Sequence, residues 1–359
     1  MNVAIRADSS ILIGTGHVMR CLTLAEDLVD KGNKVSFICR NFEGNMATYI
    51  EEKGYKVYVI PTDEHIGYDL SNKERYEEWL GCPWEQDAEE TLSILKELKC
   101  VDWLIVDHYS LDVRWELIQR EVAKKIAVID DLADRKHSCD ILLDQNLYSD
   151  MGSRYEGLVS KTCEQLIGPK YAILRKEFKV EKSNLKKKIG SIDNILIFFG
   201  GIDYQNMTAV ALKSVININK PEIVVDVVIG KDNPNIDEIK ALCVGVPNLT
   251  LHVQISYMAK LMANSDLAIG GGGSTNWERM SLGLPSILVA LAANQEKVLE
   301  DMSRMSLCQY LGKYKNTNIE KMTDAISYML KHIEKTREMG EKCLNIMGQD
   351  NKSISEYLV

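Results

Sequence analysis

Two glycines followed by a histidine form the segment of this sequence with the clearest potential for chemistry. Gly14-Thr15-Gly16-His17 lies between a predicted strand and a helix that begins near Val18. Glycines let the backbone approach a ligand closely, and the first N–H groups of a helix lack intrahelical partners. An imidazole titrates near neutral pH, so His17 is a candidate general base, with a capping role at the helix start as the alternative. Met19 stands where a dinucleotide fingerprint has its third glycine, which disfavours an NAD site.

A run of four glycines forms a second candidate site. Gly270–Gly273 follow a predicted strand and precede Ser274 and Thr275 at the start of a predicted helix. Consecutive glycines lose much conformational freedom on folding, so the run predicts close approach to a ligand. Ser274 or Thr275 can cap the helix, whose first N–H groups can receive a diphosphate. Glu278, about one turn further, is expected either to accept hydrogen bonds from ribose hydroxyls or to complement the positive helix end.

Two further turns follow predicted strands and carry small or amide side chains. Gly200-Gly201 permits close approach to a phosphate or a base, while Asn294 and Gln295 follow a later strand. Asn294 offers an amide without charge. Each turn alone is weak evidence, but ligands of parallel α/β sheets bind beyond the carboxyl ends of the strands. These turns are therefore where a ligand is expected.

The first half of the chain has polar strand ends of its own. His108 and Tyr109 follow Asp107 at the end of one strand, where they could enter the same site or simply pack. Asp130-Asp131 ends another strand and fits either a metal site or a turn. The sequence contains no Asp-x-Asp triplet to clamp a metal–diphosphate, and we predict neither a metal nor another cofactor. The remaining histidines are isolated and expected to be structural or solvated: His65, His137, His252 and His332.

The elements that must position these residues alternate between short β-branched runs and helical patterns, which predicts parallel sheets with crossover helices. From Val18 to Val29 apolar residues recur at helical spacing, and Gly32 marks the end of that helix. The predicted strands of the first half are Val3 to Ala7, Val35 to Cys39, Val57 to Ile60, Trp103 to Asp107, Ile126 to Asp130 and Ile141 to Asp144. Those of the second half are Ile195 to Phe199, Val224 to Ile229, Leu249 to Val253, Leu267 to Ile269 and Ile287 to Val289.

The two strand series predict two domains. A chain of 359 residues exceeds the usual size of one core, and the polar stretch from Lys182 to Lys188 cannot contribute to one. We expect an N-terminal Rossmann-like domain over 1–170, a C-terminal Rossmann-like domain over 190–359 that binds the nucleotide, and a linker over about 171–189. The segment from Thr62 to Trp84 lacks clear periodicity and is expected to be a long loop or helical insertion, to which we assign no chemistry.

Composition narrows the possible partners. The net charge of −9 argues against nucleic acid, because nucleic-acid binders present a basic face. The nine cysteines have no CxxC spacing and are expected to be reduced thiols of a cytoplasmic protein. The first residues lack the pattern of an export signal, and no apolar run is long enough to cross a bilayer, so no membrane partner is expected. We expect a monomer.

These motifs resemble known families. The turn at Gly14, the Gly200-Gly201 turn and the block from Gly270 to Pro285 resemble the two halves of the glycosyltransferase B fold, in the branch near MurG. More closely, the sequence is similar over nearly its whole length to the UDP-2,4-diacetamido-2,4,6-trideoxy-β-L-altropyranose hydrolase family of pseudaminic acid biosynthesis. The segments that carry this similarity are Ile5 to Ser10, Ile13 to Cys21, Val106 to Tyr109, Ile129 to Arg135, Cys139 to Asn146 and Asn294 to Glu296.

The resemblance implies two α/β domains that face each other across a cleft and a metal-independent hydrolysis that releases UDP. It makes His17 the base that activates water, with Asp8, Tyr109 and Asn294 near the reacting sugar. Attack at C1 opposite UDP predicts inversion. The residues expected to bind the UDP-sugar are Gly14, Gly16, Arg20, Gly200, Gly201, Gly272, Gly273, Ser274, Thr275, Glu278 and Gln295.

Two other functions remain open at this level. A glycosyltransferase with the same fold shares donor binding and differs only in the nucleophile. A nucleotide-sugar sensor would bind UDP without turnover. Acceptor-independent release of UDP distinguishes the hydrolase from both.

Overall fold

Short β-branched runs separated by amphipathic segments fold into two parallel sheets, as the alternation predicts. In the computed structural model, residues 1–62, 76–185, 188, 190–348 and 352–358 are described. His65, Lys186, Lys187 and most of the predicted insertion over 62–84 lie outside the described residues. The chain divides into two compact units: a first unit of Met1–Asn146, Asp150–Ile173 and Lys352–Val359, and a second unit of Leu147–Ser149 and Leu174–Asn351. The domain ranges stay a prediction, and these units differ from them by assigning the C-terminal residues to the first unit.

The first unit contains a seven-stranded parallel sheet in the order β3-β2-β1-β4-β5-β6-β7. All six strands expected from the sequence are present, and β7, which is only four residues long, was missed. The strands are β1 (Asn2–Ala7), β2 (Lys34–Arg40), β3 (Lys56–Ile60), β4 (Val101–Asp107), β5 (Ala123–Ile129), β6 (Ile141–Asp144) and β7 (Glu164–Ile167). The helices are α1 (Gly16–Asp30), α2 (Ala47–Glu52), α3 (Trp84–Glu97) and α4 (Val113–Gln119).

Alternation along β1 explains how this sheet is held between two cores. Val3, Ile5 and Ala7 enter one apolar cluster, whereas Ala4 enters the cluster on the opposite face. Successive side chains of a strand point to opposite faces, so both faces are covered. Helix α1 buries its apolar stripe in the first of these clusters, and Gly32 follows its end with a positive φ of 81°.

The second unit contains a six-stranded parallel sheet in the order β10-β9-β8-β11-β12-β13. The edge strand β13 was not among the predicted strands. The strands are β8 (Asn194–Phe198), β9 (Val224–Ile229), β10 (Leu249–Val253), β11 (Leu267–Gly271), β12 (Ser286–Ala290) and β13 (Gln309–Lys313). The helices are α5 (Lys176–Ser183), α6 (Met207–Ile218), α7 (Ile236–Cys243), α8 (Met258–Asn264), α9 (Thr275–Ser281), α10 (Glu296–Arg304), α11 (Ile319–Lys331) and α12 (Ile333–Met347).

In each sheet the chain adds strands first on one side of its first strand and then on the other, so the strand order reverses between β1 and β4 and between β8 and β11. At such a switch point the crossover helices leave to opposite faces, which opens a crevice beyond the carboxyl ends of the two strands. The predicted α/β class with two doubly wound parallel sheets is confirmed. Among the described residues, none of the helices is long and apolar enough to pass through a bilayer.

Candidate active site

A histidine–aspartate pair lies at the switch point of the first sheet. His17 occupies the first turn of α1, and Asp107 is the last residue of the neighbouring strand β4. His17 Nδ1 lies 2.6 Å from Asp107 Oδ1, although the two residues are 90 positions apart in the chain. Asp107 is fully buried and His17 nearly so. Asp107 had no predicted role, because the only signal for it in the sequence is its position at a strand end.

Arg20 holds Asp107 in its ionised form. It lies one turn after His17 on α1, and its Nε and Nη2 donate to the two oxygens of Asp107 at 2.6 Å each. Its Nη1 donates to Asp131 at 3.0 Å. Burial raises the pKa of Asp107, but Arg20 and His17 outweigh burial and keep that pKa well below its ordinary value. Its Nη2 also lies 3.3 Å from His17 Nδ1. The described contacts of Arg20 are thus with side chains of the protein, and its expected contact with the UDP-sugar stays a prediction.

The ionised aspartate determines which imidazole nitrogen can accept a proton. A carboxylate accepts hydrogen bonds only, so we assign the proton of neutral His17 to Nδ1. That tautomer leaves the lone pair on Nε2, which is the nitrogen a general base needs. If Nε2 takes a proton, the resulting imidazolium is stabilised by Asp107.

Two aromatic rings contact this imidazole, and a third packs against both of them. Tyr109 packs edge-on against His17 with centroids 4.6 Å apart and stacks on Trp79 at 5.4 Å. Tyr76 meets Trp79 and Tyr109 edge-on, at 5.0 Å from each. Burial and the nearby Asp131 raise the pKa of Tyr109 well above its ordinary value, so its hydroxyl keeps its proton. Tyr76 and Trp79 belong to a 3-10 turn, Tyr76–Leu80, in the segment to which the sequence analysis assigned no chemistry.

Asp8 lies in a separate buried charge network. Its Oδ1 accepts hydrogen bonds from Arg6 Nη1 at 2.5 Å and from the backbone N–H of Arg40 at 2.7 Å. His108 Nε2 lies 3.3 Å from its other oxygen. Burial raises the pKa of Asp8, but Arg6 and His108 outweigh it and lower that pKa far below its usual range. Asp8 is fully buried, so the structure gives it protein partners, and its expected place near the sugar stays a prediction.

The acidic pair at the end of β5 forms a turn with ion pairs. Asp130 Oδ2 accepts from the backbone N–H of Ala133, and Asp130 Oδ1 lies 2.9 Å from Arg135. Nearby, Asp144 Oδ2 accepts from Tyr155 Oη at 3.1 Å. Burial and the charge of Asp131 raise the pKa of Asp144 to about 7.

One group of side chains in the described part of the chain has metal-ligand spacing, namely Cys82, Asp87 and Glu90. Their carboxylates already have cationic partners. Asp87 Oδ2 accepts from Arg6 and Arg40 at 2.7 Å each, and Glu90 accepts from Arg40 at 2.6 Å. Two fully buried guanidinium groups make this a poor setting for a cation.

Packing explains most of the glycine run in the second unit. A Cβ at Gly270 would lie 2.3 Å from the Phe198 carbonyl oxygen, and one at Gly272 would lie 2.5 Å from Leu299 Cδ1. Gly271 would similarly meet a leucine side chain at 2.8 Å. Gly270, Gly271 and Gly272 thus have a packing reason to be glycine, because β11 continues to Gly271 and the neighbouring elements pack closely against the run. Ligand binding by Gly272 and Gly273 stays a prediction. The nearest atom to a Cβ added at Gly273 is Gln295 Nε2 at 3.9 Å, an ordinary contact, so packing does not require a glycine here.

The remaining predicted residues of the second unit differ in how firmly the protein holds them. Gly200 has a φ of 102° with open space around it. Ser274 and Asn294 are exposed, and Thr275 is half-buried. Gln295 Oε1 accepts from the Leu291 backbone N–H at 2.9 Å. Exposure leaves Ser274 and Asn294 accessible to a ligand.

Glu278 has a protein partner. Arg175 Nε and Nη2 donate to its two oxygens at 2.7 and 3.1 Å. This bidentate pair was not foreseen, since Arg175 precedes α5, about a hundred residues earlier. Binding of a ribose by Glu278 stays a prediction, and the free lone pairs of the carboxylate leave room for it.

Comparisons with known proteins agree with this architecture. The family described as the glycosyltransferase family 28 C-terminal domain matches residues 194–356. The chain is 33% identical over 298 residues to the UDP-2,4-diacetamido-2,4,6-trideoxy-beta-L-altropyranose hydrolase of Campylobacter jejuni, covering 82% of this chain and 94% of that protein. It is 25% identical over 305 residues to the spore coat polysaccharide biosynthesis protein SpsG of Bacillus subtilis, covering 82% and 79% of the two chains.

Solved structures share the fold at low sequence identity. MurG of Acinetobacter baumannii superposes with a TM-score of 0.63 at 17% identity, covering 99% of this chain and 97% of that one. The glycosyltransferase VinC in complex with dTDP gives a TM-score of 0.61 at 13% identity, covering 100% and 98%. The expected likeness to MurG and the glycosyltransferase B fold is thereby confirmed.

Proposed function

Because this chain belongs to the family of the UDP-2,4-diacetamido-2,4,6-trideoxy-beta-L-altropyranose hydrolase of Campylobacter jejuni, we propose that it hydrolyses a UDP-sugar of that class. The products are UDP and free 2,4-diacetamido-2,4,6-trideoxy-L-altrose, an intermediate for pseudaminic acid. The single observation that carries the proposal is the pairing of His17 with Asp107 at the switch point of the first sheet.

His17 Nε2 takes one proton from a water molecule as the water oxygen attacks C1 of the sugar. The bond between C1 and the diphosphate oxygen breaks, and the bonding electrons leave with UDP. Asp107 stabilises the imidazolium, which later returns its proton to solvent. Attack from the face opposite UDP inverts the anomeric configuration.

The second unit provides the nucleotide-binding residues in this proposal. Gly200 adjoins open space, an added Cβ at Gly273 would meet nothing closer than 3.9 Å, and Ser274, which follows Gly273, is exposed. We therefore assign backbone N–H groups of these turns to the diphosphate oxygens. Fixed dipoles of this kind stabilise charge that develops on the departing UDP without a divalent cation. The proposal further places the enzyme in the cytoplasm as a monomer, which cell fractionation and sedimentation would test.

The test measures the rate at which wild type and His17→Ala release UDP from the diacetamido UDP-sugar. The reaction contains a chelator and no acceptor sugar. We expect turnover by wild type and a loss of about 10²-fold or more in kcat for the variant. In ¹⁸O-labelled water the label should enter the sugar and not UDP. Label in UDP, or turnover of UDP-GlcNAc in preference to the diacetamido sugar, would contradict the proposal.

A glycosyltransferase is the second candidate, because residues 194–356 match the glycosyltransferase family 28 C-terminal domain. In that case UDP release would depend on an acceptor sugar. Full-rate release without acceptor excludes it.

A further inference from the structure

We propose that Trp79 is a specificity-determining residue that binds an acetamido group of the sugar through its indole N–H. This inference rests on the proposed function, since it states which group of the substrate the aromatic rings beside His17 bind. Neither the family resemblance nor the sequence motifs assign Trp79 a role.

The indole N–H of Trp79 is a buried donor without an acceptor. Trp79 is 8% exposed, and its Nε1 has no hydrogen-bond partner among the residues that the structure describes. Buried donors in folded proteins are nearly always paired, because an unpaired N–H loses its bond to water without replacement. Trp115 follows this rule, since its Nε1 donates to Asp87 Oδ1 at 2.9 Å. The unpaired donor of Trp79 thus points to an acceptor that arrives with a ligand.

The surroundings of Trp79 place this donor beside the reacting centre. Its ring stacks on Tyr109 and stands edge-on to His17, with centroids 6.0 Å apart. Tyr76 adds a third ring at 5.0 Å. A group bound to this donor would therefore adjoin the ring cluster that contacts the imidazole, which activates water in the proposed reaction.

The chemistry of the cluster selects the kind of group. An indole N–H donates and cannot accept, and it carries no charge, so it suits a neutral carbonyl oxygen. Aromatic faces suit a methyl group. An acetamido group has both a carbonyl oxygen that accepts and a methyl, whereas a hydroxyl has an acceptor oxygen but no methyl. A site that pairs a buried donor discriminates strongly against ligands that lack the acceptor.

The first experiment compares Trp79→Phe, which keeps an aromatic ring and removes the N–H, with wild type on the diacetamido UDP-sugar. We expect a loss of about tenfold in kcat/KM, as for one hydrogen bond to an uncharged acceptor. Trp84→Phe is the matched control, because Trp84 is half-buried at the start of α3 and contacts Arg114. Equal losses in both variants, or no loss in Trp79→Phe, would overturn the proposal.

The second experiment reads the indole directly and does not require turnover. In ¹⁵N-labelled His17→Gln protein, the five tryptophans give five indole signals, and Trp79→Phe in that background identifies one of them. Saturating diacetamido UDP-sugar should shift the Trp79 signal downfield, whereas UDP alone should leave it in place. If other signals report saturation while the Trp79 signal stays, this inference is wrong and the proposed function stands. If the UDP-sugar shifts no signal at all, both fail together.

Discussion

At the scale of residues, the site depends on the imidazole of His17, whose tautomer is set by the carboxylate of Asp107. Asp107 is fully buried, and Arg20 binds both of its oxygens, so its negative charge is retained without contact with solvent. Asp107 therefore acts as a positioning residue in the proposed reaction. Asp107 affects the rate of the reaction because it sets the tautomer of His17.

Asp107→Asn tests this role. An amide can donate to Nδ1 and favour the tautomer with the proton on Nε2, which removes the lone pair needed by a general base. We expect kcat to fall about 10²- to 10⁴-fold with KM little changed. Steady-state kinetics and the ¹⁵N shifts of His17 provide the measurements. Asp112→Asn, a change at the half-buried N-cap of α4, is the control. A kcat within threefold of wild type would contradict the assignment.

Asp144 gives a prediction about pH and stability. Its pKa is raised to about 7 in the folded protein, first by burial and then by Asp131, while an unfolded aspartate titrates near 3.9. Between these values the folded state holds a proton that the unfolded state has lost, so the contribution to stability is present at low pH and is lost as pH rises. Relative to Asp144→Asn, wild type should lose about 2 kcal/mol of unfolding free energy between pH 5 and pH 7.

Urea unfolding followed by tryptophan fluorescence measures this difference, because Trp79, Trp84, Trp103 and Trp115 belong to the first unit. Asp112→Asn is again the control. The pKa of Asp112 is lowered, with burial opposed by Arg114, so its contribution is constant above about pH 4. Parallel pH profiles of wild type and Asp144→Asn would disprove the prediction.

At the scale of elements, the glycine run between β11 and α9 contains glycines that close packing requires and one that close packing does not require. Gly270 and Gly271 belong to the strand, and Gly272 packs against the fully buried Leu299. Gly273 is the glycine of this run at which an added Cβ would meet no atom closer than 3.9 Å. Adjacent residues of one motif thus have different physical reasons to be glycine.

Gly272→Ala and Gly273→Ala form a matched pair. The Cβ added at Gly272 would meet Leu299 Cδ1 at 2.5 Å, so we expect a loss of about 1 to 3 kcal/mol in stability. The Cβ added at Gly273 meets nothing closer than 3.9 Å, so stability should be unchanged while affinity for UDP falls. Thermal unfolding and calorimetric titration with UDP distinguish the two. Unchanged UDP affinity in Gly273→Ala would remove this residue from the nucleotide site.

At the scale of the whole molecule, the chain is not divided simply into an N-terminal and a C-terminal half. Residues 352–359 return to the first unit after the second unit is complete. Ile354 and Leu358 enter the same apolar cluster as the stripe of α1. Ser355 lies next to α1 as well, where Lys31 donates to its hydroxyl.

Ile354→Ala should therefore destabilise the first unit, although the residue is near the end of the chain. Deleting a fully buried isoleucine side chain leaves a cavity and costs about 2 to 4 kcal/mol. Hydrogen exchange resolved along the chain should show faster exchange in β1 and α1, with that in β8 and β11 unchanged. Val244→Ala, at a valine that is 78% exposed, should change neither. Faster exchange confined to the second unit would refute the assignment of the tail.

The sequence by itself determined the elements. Short β-branched runs located eleven of the strands, and the glycine turn before α1 indicated a helix start near Val18, next to His17. These features are local, because the side chains that specify them lie within one turn or one strand. Short edge strands such as β7 and β13 escaped, since four or five residues of mixed character carry little periodicity.

Only the tertiary structure decided which side chains of distant segments contact one another. Asp107 meets His17 across 90 residues, Arg175 pairs with Glu278 across 103, and Trp79 joins Tyr109 from a segment without periodicity. The packing of Leu299 on Gly272 likewise depends on how two elements meet. Contacts of this kind arise from strand order and close packing, and no local pattern in the chain encodes them.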